Sequence, residues 1–101
     1  MITIEEIIKW SKPHQYSGGE GRMTRFGDGR VTFSIVGGAR GLYGDFVETF
    51  EVAIFNTETG DFITNFFYPD GGDDIISYMP AKKVEELVNS VIKRENLSVE
   101  R

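Results

Sequence analysis

The side chains best suited to chemistry in this sequence are carboxylates gathered around glycines. The segment Asp70-Gly71-Gly72-Asp73-Asp74 places three carboxyl groups within five residues. Calcium prefers such oxygen ligands, but the segment has neither the spacing of an EF-hand loop nor its final glutamate. The cluster therefore suits a turn with solvated acids better than a metal site, and we predict neither a metal nor a cofactor.

Residues for nucleophilic or metal-centred catalysis are scarce. The chain holds no cysteine and one histidine, His14. The lack of thiols excludes disulfides, thiolate zinc sites and cysteine nucleophiles. His14 could act as a base with Glu20 or Asp28, but no spacing in the sequence fixes such a pair. We therefore predict a protein that is not an enzyme, with a small hydrolase that relies on His14 as an alternative.

A second glycine-rich segment invites comparison with phosphate-binding loops. Gly38, Gly41 and Gly44 lie close together in the sequence. A phosphate loop opens a helix whose N-terminus supplies the donors, whereas a strand pattern follows here. The segment is therefore predicted to be a tight connection. Arg40 and Tyr43 near its tip are candidate contact residues, because loops often carry binding residues.

The net charge of −5 comes from one stretch of the chain. Residues 1–45 and 80–101 each carry a formal charge of +1, whereas residues 46–79 contain seven acidic residues and no basic one. Such a block repels nucleic-acid phosphates and favours basic partners. The alternative is a solvated surface that keeps a small protein in solution. The seven residues are Glu48, Glu51, Glu58, Asp61, Asp70, Asp73 and Asp74.

The positive charge of the first half is concentrated in the predicted first hairpin. Arg22, Arg25 and Arg30 lie there near several aromatic residues, a combination that can bind single-stranded nucleic acid. The number of arginines is small and the net charge opposes such binding. We expect them to offset the acidic block within the molecule.

The sequence gives no sign of a membrane span or a leader. No apolar run approaches the roughly 18–20 residues that a spanning helix needs. The first residues, Met1 to Glu6, lack the basic start and the long apolar run of a secretory signal. We therefore expect a cytoplasmic protein that binds neither membranes nor nucleic acid directly.

Two helices are predicted at the ends of the chain. Thr3 and Glu6 form a capping-box pattern, which predicts a helix over residues 4–11 that Pro13 stops. A second helix is predicted from Pro80 to about residue 94, and residues 95–101 are expected to form a frayed tail. Its apolar positions recur at helical spacing and are Val84, Leu87, Val88, Val91 and Ile92.

The residues between these helices are predicted to form an antiparallel sheet. Gly27-Asp28-Gly29 predicts a hairpin between strands 22–26 and 30–36, and Thr57-Glu58-Thr59-Gly60 predicts another between strands 46–56 and 62–68. Residues 75–79 are either a fifth strand or the lead-in to the helix, and residues 14–21 are a loop. The predicted fold class is α+β, with one antiparallel sheet of four to five strands and a helix at each end, in a single domain over 1–101.

The second hairpin defines two faces of this sheet. Its register pairs Phe55 with Phe62, and one face is apolar enough to be the core. The other mixes aromatic and acidic residues, so we expect it to be covered either by the chain's own loop or short helix, or by a partner or second copy. This outer face would hold Thr49, Glu51, Ala53, Phe55, Phe62, Thr64, Phe66 and Tyr68.

These patterns favour a small acidic protein-interaction module. It would bind a basic surface of a partner protein, such as one that handles nucleic acid, with carboxylates in the place of phosphates. Phages and mobile elements use inhibitors of this character, although no motif supports the analogy. The alternative is a homodimer with a structural or ligand-binding role. The predicted contact residues are the seven acidic residues, the aromatic residues Phe55, Phe66 and Tyr68, and Arg40 and Tyr43.

Overall fold

A computed structural model describes residues 1–15 and 19–99 of the chain. Five strands form one antiparallel sheet in chain order: β1 (Lys12–Pro13), β2 (Arg22–Gly27), β3 (Val31–Gly37), β4 (Thr49–Asn56) and β5 (Ile75–Pro80). The helices are α1 (Ile4–Lys9), α2 (Thr64–Phe67) and α3 (Ala81–Glu95), and a 3₁₀ turn (Pro69–Gly71) follows α2. The predicted α+β class, with an antiparallel sheet between terminal helices, is confirmed.

Two predicted segments extend outside the described residues. The predicted loop 14–21 includes residues 16–18, and the predicted tail includes residues 100–101. No helix in the described part of the chain is both long and apolar enough to cross a membrane.

The N-terminal helix begins with the predicted capping box. Thr3 Oγ1 accepts a hydrogen bond from the Glu6 amide at 3.2 Å, and Glu6 Oε1 accepts one from the Thr3 amide at 3.1 Å. Asn89 of α3 holds the residue before this cap, accepting from the Ile2 amide at 2.9 Å and donating to its carbonyl at 2.8 Å. The helix ends at Lys9, two residues earlier than predicted, with the buried Ile7 facing the core.

The first hairpin forms at the predicted turn. Asp28 Oδ1 accepts hydrogen bonds from the Arg30 and Val31 amides at 2.8 and 3.0 Å. Gly27 lies in the positive-φ region, and a Cβ there would overlap the Val31 carbonyl oxygen. Beyond the turn, Phe26 and Phe33 stack on the inner face with ring centroids 5.0 Å apart. The turn therefore fixes the register of β2 and β3.

The core lies between the inner face of the sheet and helices α1 and α3. Leu97, in the predicted frayed tail, belongs to it with 9% of its surface exposed. Asn96 takes the left-handed conformation, and the Leu97 amide then donates to the Ile92 carbonyl at 3.0 Å, a common way to end a helix. The fully buried large side chains of this core include Ile7, Phe33, Ile35, Phe50, Val52, Ile54, Val84, Val88 and Val91.

The predicted strand over residues 62–68 is wrong. Phe62 makes one bridge to Phe55 in the predicted register, after which the chain turns into α2. The hydroxyl of Thr64 accepts a hydrogen bond from the Ile54 amide at 2.9 Å, where a paired strand would have offered a carbonyl. Strand β5 takes the rest of this edge of β4, with Ile76 opposite Val52. Residues 75–79 are therefore a strand.

Candidate functional site

The four aromatic residues predicted to share the outer face do not lie together. The rings of Phe55 and Phe62 are 4.6 Å apart on that face, and the Arg25 guanidinium lies 5.3 Å from the Phe55 ring. Phe66 is 63% exposed and lies beside α3, with the Arg94 guanidinium 4.7 Å from its ring. Tyr68 packs against the core. The predicted aromatic face is wrong, because the chain turns away from β4 before Phe66.

The glycine-rich loop covers one end of the outer face. The Tyr43 amide donates to the Glu51 carboxylate at 3.2 Å, and the Tyr43 carbonyl accepts from the Tyr78 amide at 2.8 Å. The two tyrosine rings meet edge to face, 6.0 Å apart. Arg40 is exposed on the same loop. Of the covers considered from the sequence, the chain's own loop is therefore present at this end.

Asp45 closes the loop before β4, a role that sequence reasoning missed. Its Oδ1 atom accepts hydrogen bonds from the Val47, Glu48 and Thr49 amides at 2.8 to 2.9 Å. The Thr49 amide, followed by the other two, lowers the pKa of Asp45 to about 2. This turn delays β4 to Thr49, whereas we predicted a strand from residue 46. Aspartate side chains often accept hydrogen bonds from the backbone amides that follow them in a turn, so Asp45 is a sequence signal that could have revealed this turn.

Of the two partners considered for His14 as a catalytic base, Asp28 does not lie beside it. The amide of His14 donates to the Gly21 carbonyl at 2.9 Å, just before β2 begins, whereas Asp28 follows the end of β2. His14 and Asp28 therefore lie at opposite ends of a six-residue strand.

Five of the seven predicted acidic contact residues lie at one end of the sheet. Because β4 and β5 are antiparallel, the end of β4 and the start of β5 are neighbours. Glu48 and Glu51 lie towards the other end, beside the glycine-rich loop. We call the first group the acidic end; it consists of Glu58 and Asp61 after β4, and Asp70, Asp73 and Asp74 before β5.

The carboxylates of these seven residues are not neutralised within the part of the chain that the structure describes. The ion pairs there join Asp28 to Arg30, Glu86 to Lys83 and Glu95 to Arg94. In residues 1–15 and 19–99, no group of three or more acidic or histidine side chains could hold a metal ion. The acidic end therefore presents negative charge to solvent.

We expected the arginines of the first hairpin to offset the acidic block, and their observed contacts lie elsewhere. Arg22 donates to the Ser11 carbonyl at 2.6 Å, and Arg25 lies over the Phe55 ring. Arg30 donates to the Glu95 carbonyl at 2.7 Å, at the end of α3. Each arginine is thus engaged by its own surroundings, and none forms an ion pair with the acidic end among the described residues.

A trough follows the outer edge of β5. Two adjoining hollows of about 340 and 480 Å³ share Tyr68, Asp70, Ile76 and Ser77. The first is lined by the consecutive residues 75–77 and the second by residues 76–80. Successive strand residues point to opposite faces, so a hollow lined by consecutive residues runs along the strand's edge. Asp73 lies at one end of the trough and Lys83 at the other.

The β5 trough collects three of the predicted contact residues: Tyr68, Asp70 and Asp73. Strand β5 is the last in the sheet, so no described strand pairs with its outer edge. Comparisons with protein-family models, curated proteins and solved structures gave no significant match. The trough and the acidic end beside it form the candidate site.

Proposed function

We propose that this chain is a small acidic, non-enzymatic interaction module that binds a basic surface of a partner protein. The observation that supports this is the acidic end, whose carboxylates have no ion-pair partner among the described residues. Such a surface attracts cationic groups and raises the rate of encounter with a basic partner.

The proposed mechanism is occlusion of a site that otherwise binds phosphates. Carboxylates at the acidic end would occupy the positions of nucleic-acid phosphates, and aromatic side chains would add desolvated contact area. Phe62 at 46% and Phe66 at 63% exposure are available for this, together with the half-buried Tyr68. A cytoplasmic inhibitor of the kind that phages and mobile elements carry would work in this way.

The outer face that the homodimer alternative would use holds fewer aromatic residues than we predicted. The homodimer required an aromatic outer face of four residues, and only Phe55 and Phe62 lie there. Stable interfaces usually bury about 800 Å² on each partner, which two aromatic residues do not supply. The acidic module is therefore the function that the geometry favours.

The test is capture of partners from a lysate of the source organism on immobilised protein at roughly 50 mM and about 500 mM salt. We expect a basic, nucleic-acid-binding protein to be retained at low salt and released at high salt. An excess of a DNA or RNA oligonucleotide should then displace it. Capture that ignores both salt and oligonucleotide, or recovery of this chain alone, would contradict the proposal.

Two matched variants show where the charge matters. The triple variant Asp70→Asn, Asp73→Asn, Asp74→Asn removes three charges at the acidic end. The control Glu5→Gln, Glu20→Gln, Glu85→Gln removes three elsewhere, from residues that form no ion pair within the described chain. We expect the first to lose the partner and the control to keep it; equal losses would mean that net charge alone is responsible.

A further inference from the structure

The outer edge of β5 offers backbone groups as well as charge. We infer that this edge binds an extended, basic segment of a partner, which adds to the sheet as a sixth strand. This inference rests on the proposed function, since it specifies the form in which the basic partner arrives. Addition of a strand to an open sheet edge is a recurrent mode of peptide recognition.

The register identifies the backbone groups that are free. The Ile54 carbonyl accepts from the Ile63 amide at 2.8 Å and the Ile54 amide donates to Thr64, so both point away from β3. Backbone groups alternate between the two edges of a strand, so the amide and carbonyl of Val52, two residues earlier on β4, also point away from β3 and towards its partner Ile76. Ile76 therefore directs its amide and carbonyl to β4, and its neighbours Ile75 and Ser77 direct theirs outwards.

An irregularity in β5 limits the ladder to this short stretch. The pairing of β4 with β5 shifts between Phe50 and Val52, and Tyr78 adopts a φ of 55°. The Tyr78 amide is already bonded to the Tyr43 carbonyl. An added strand can thus pair with the amides and carbonyls of Ile75 and Ser77, and the bulge ends the ladder beyond them.

The charges along the trough indicate the chemistry of the added strand. Asp73 lines only the first part, Asp70 lines both parts, and Lys83 lines only the far end. A lysine or arginine side chain is therefore favoured opposite the start of β5. Between these ends, Ile76, Met79 and Pro80 provide an apolar wall for the alternate side chains.

A second copy of the chain fits this edge poorly. An antiparallel pair of β5 strands centred on Ile76 would place the two Asp74 residues about 13 Å apart, at 3.3 Å per residue. Each Asp74 would then lie opposite the irregular Tyr78 of the other copy, so the ladder would be limited to three residues. A bulge is one of the devices that keep sheet edges from pairing with themselves.

The experiment compares two peptides of equal charge. The probe is an octapeptide of alternating valine and lysine with blocked ends. The control peptide has the same sequence but carries N-methyl groups on its four central amides, which removes the backbone hydrogen-bond donors on both edges of the peptide. We expect the unmodified peptide to bind at low salt and the methylated one to bind at least about tenfold more weakly. Bound peptide should shift the amide resonances of Ile75 and Ser77.

Protein variants test the same edge from the other side. Ser77→Pro removes the outward amide, and Ser77→Ala keeps it; we expect only the proline variant to lose the tenfold preference for the unmodified peptide. If Ser77→Pro does not fold, as judged by circular dichroism, the peptide pair still decides the question.

The remaining outcomes separate the two proposals. Equal, salt-sensitive binding of both peptides overturns strand addition and leaves the acidic module in place. Failure of both peptides to bind overturns strand addition, and the capture experiment then decides the acidic module separately. A concentration-dependent dimer in sedimentation, with the same resonances shifted in the absence of peptide, overturns the basic segment as the occupant.

Discussion

Replacement of Thr64 by valine should destabilise the protein, although it barely changes the volume of the side chain. Thr64 is 1% exposed. Its hydroxyl accepts from the Ile54 amide at 2.9 Å and donates to the Asp74 carbonyl at 2.6 Å. Valine leaves both groups without this partner. The substitution therefore removes the connection between β4, α2 and the acidic end in one step.

The expected magnitude follows from the burial of the two groups. A buried amide that loses its partner costs about 1–3 kcal/mol. The Asp74 carbonyl lies in an exposed residue, where water can replace part of the lost bond. We therefore expect Thr64→Val to lower the free energy of unfolding by about 2 kcal/mol. In a domain of this size that lowers the melting temperature by about 10 °C.

Urea denaturation of the variant beside Thr64→Ser is the assay. Serine keeps the hydroxyl and loses one methyl group, so it should cost about 1 kcal/mol, less than valine. Amide exchange at Ile54 should accelerate in the valine variant alone. If residues 62–68 formed a strand, Thr64 would face outwards and valine would be tolerated. A valine variant within about 0.5 kcal/mol of the parent would therefore refute the structure of this region.

Three further predictions concern the parts that hold the sheet and its loops. Gly27→Ala should cost about 2 kcal/mol or more, because its Cβ would overlap the Val31 carbonyl oxygen, whereas Gly29→Ala, which meets nothing within 4 Å, should be nearly neutral in the same melting experiment. Asn89→Ala should cost about 1–2 kcal/mol and speed amide exchange at Ile2, which loses both of its bonds to Asn89; unchanged exchange there would contradict the contact. The lowered pKa of Asp45 means that its carboxylate stabilises the fold fully above the ordinary value of 3.8 and that this stabilisation is lost as the pH falls through about 2. A carboxyl titration by NMR with a midpoint near 3.8 would refute this.

Local signals predicted those elements whose stabilising contacts are themselves local. The capping box of Thr3 and Glu6 and the turn bonds of Asp28 each join residues two or three apart, so their residue types reveal them. The apolar stripe of α3 likewise predicted its buried side from one helix alone. Local signals did not predict that the C-terminal tail packs on the domain, since Leu97 is buried against a core that other elements form.

The strand error arose from a competition that local sequence does not decide. Residues 62–68 are rich in aromatic and β-branched types, as strands are, and the turn before them does place Phe62 opposite Phe55. The edge of β4 can pair with only one segment at each position. The Thr64 side chain accepts the hydrogen bond of the Ile54 amide, and β5 pairs with the part of β4 from Ala53 back to Thr49. Only the three-dimensional arrangement shows which segment takes the edge.

The same competition produces the candidate site. Because α2 and β5 divide the edge of β4, the connection that carries Asp70, Asp73 and Asp74 must return to the middle of β4 and start a new edge strand there. Had residues 62–68 formed the edge strand, these acids would have lain in a turn beyond the sheet. Their position at the start of an open edge is what unites charge with free backbone groups. The segment that pairs with the edge of β4 thus determines whether the acidic block is a solvated surface or one side of a binding trough. The Ser77 variants distinguish these two cases.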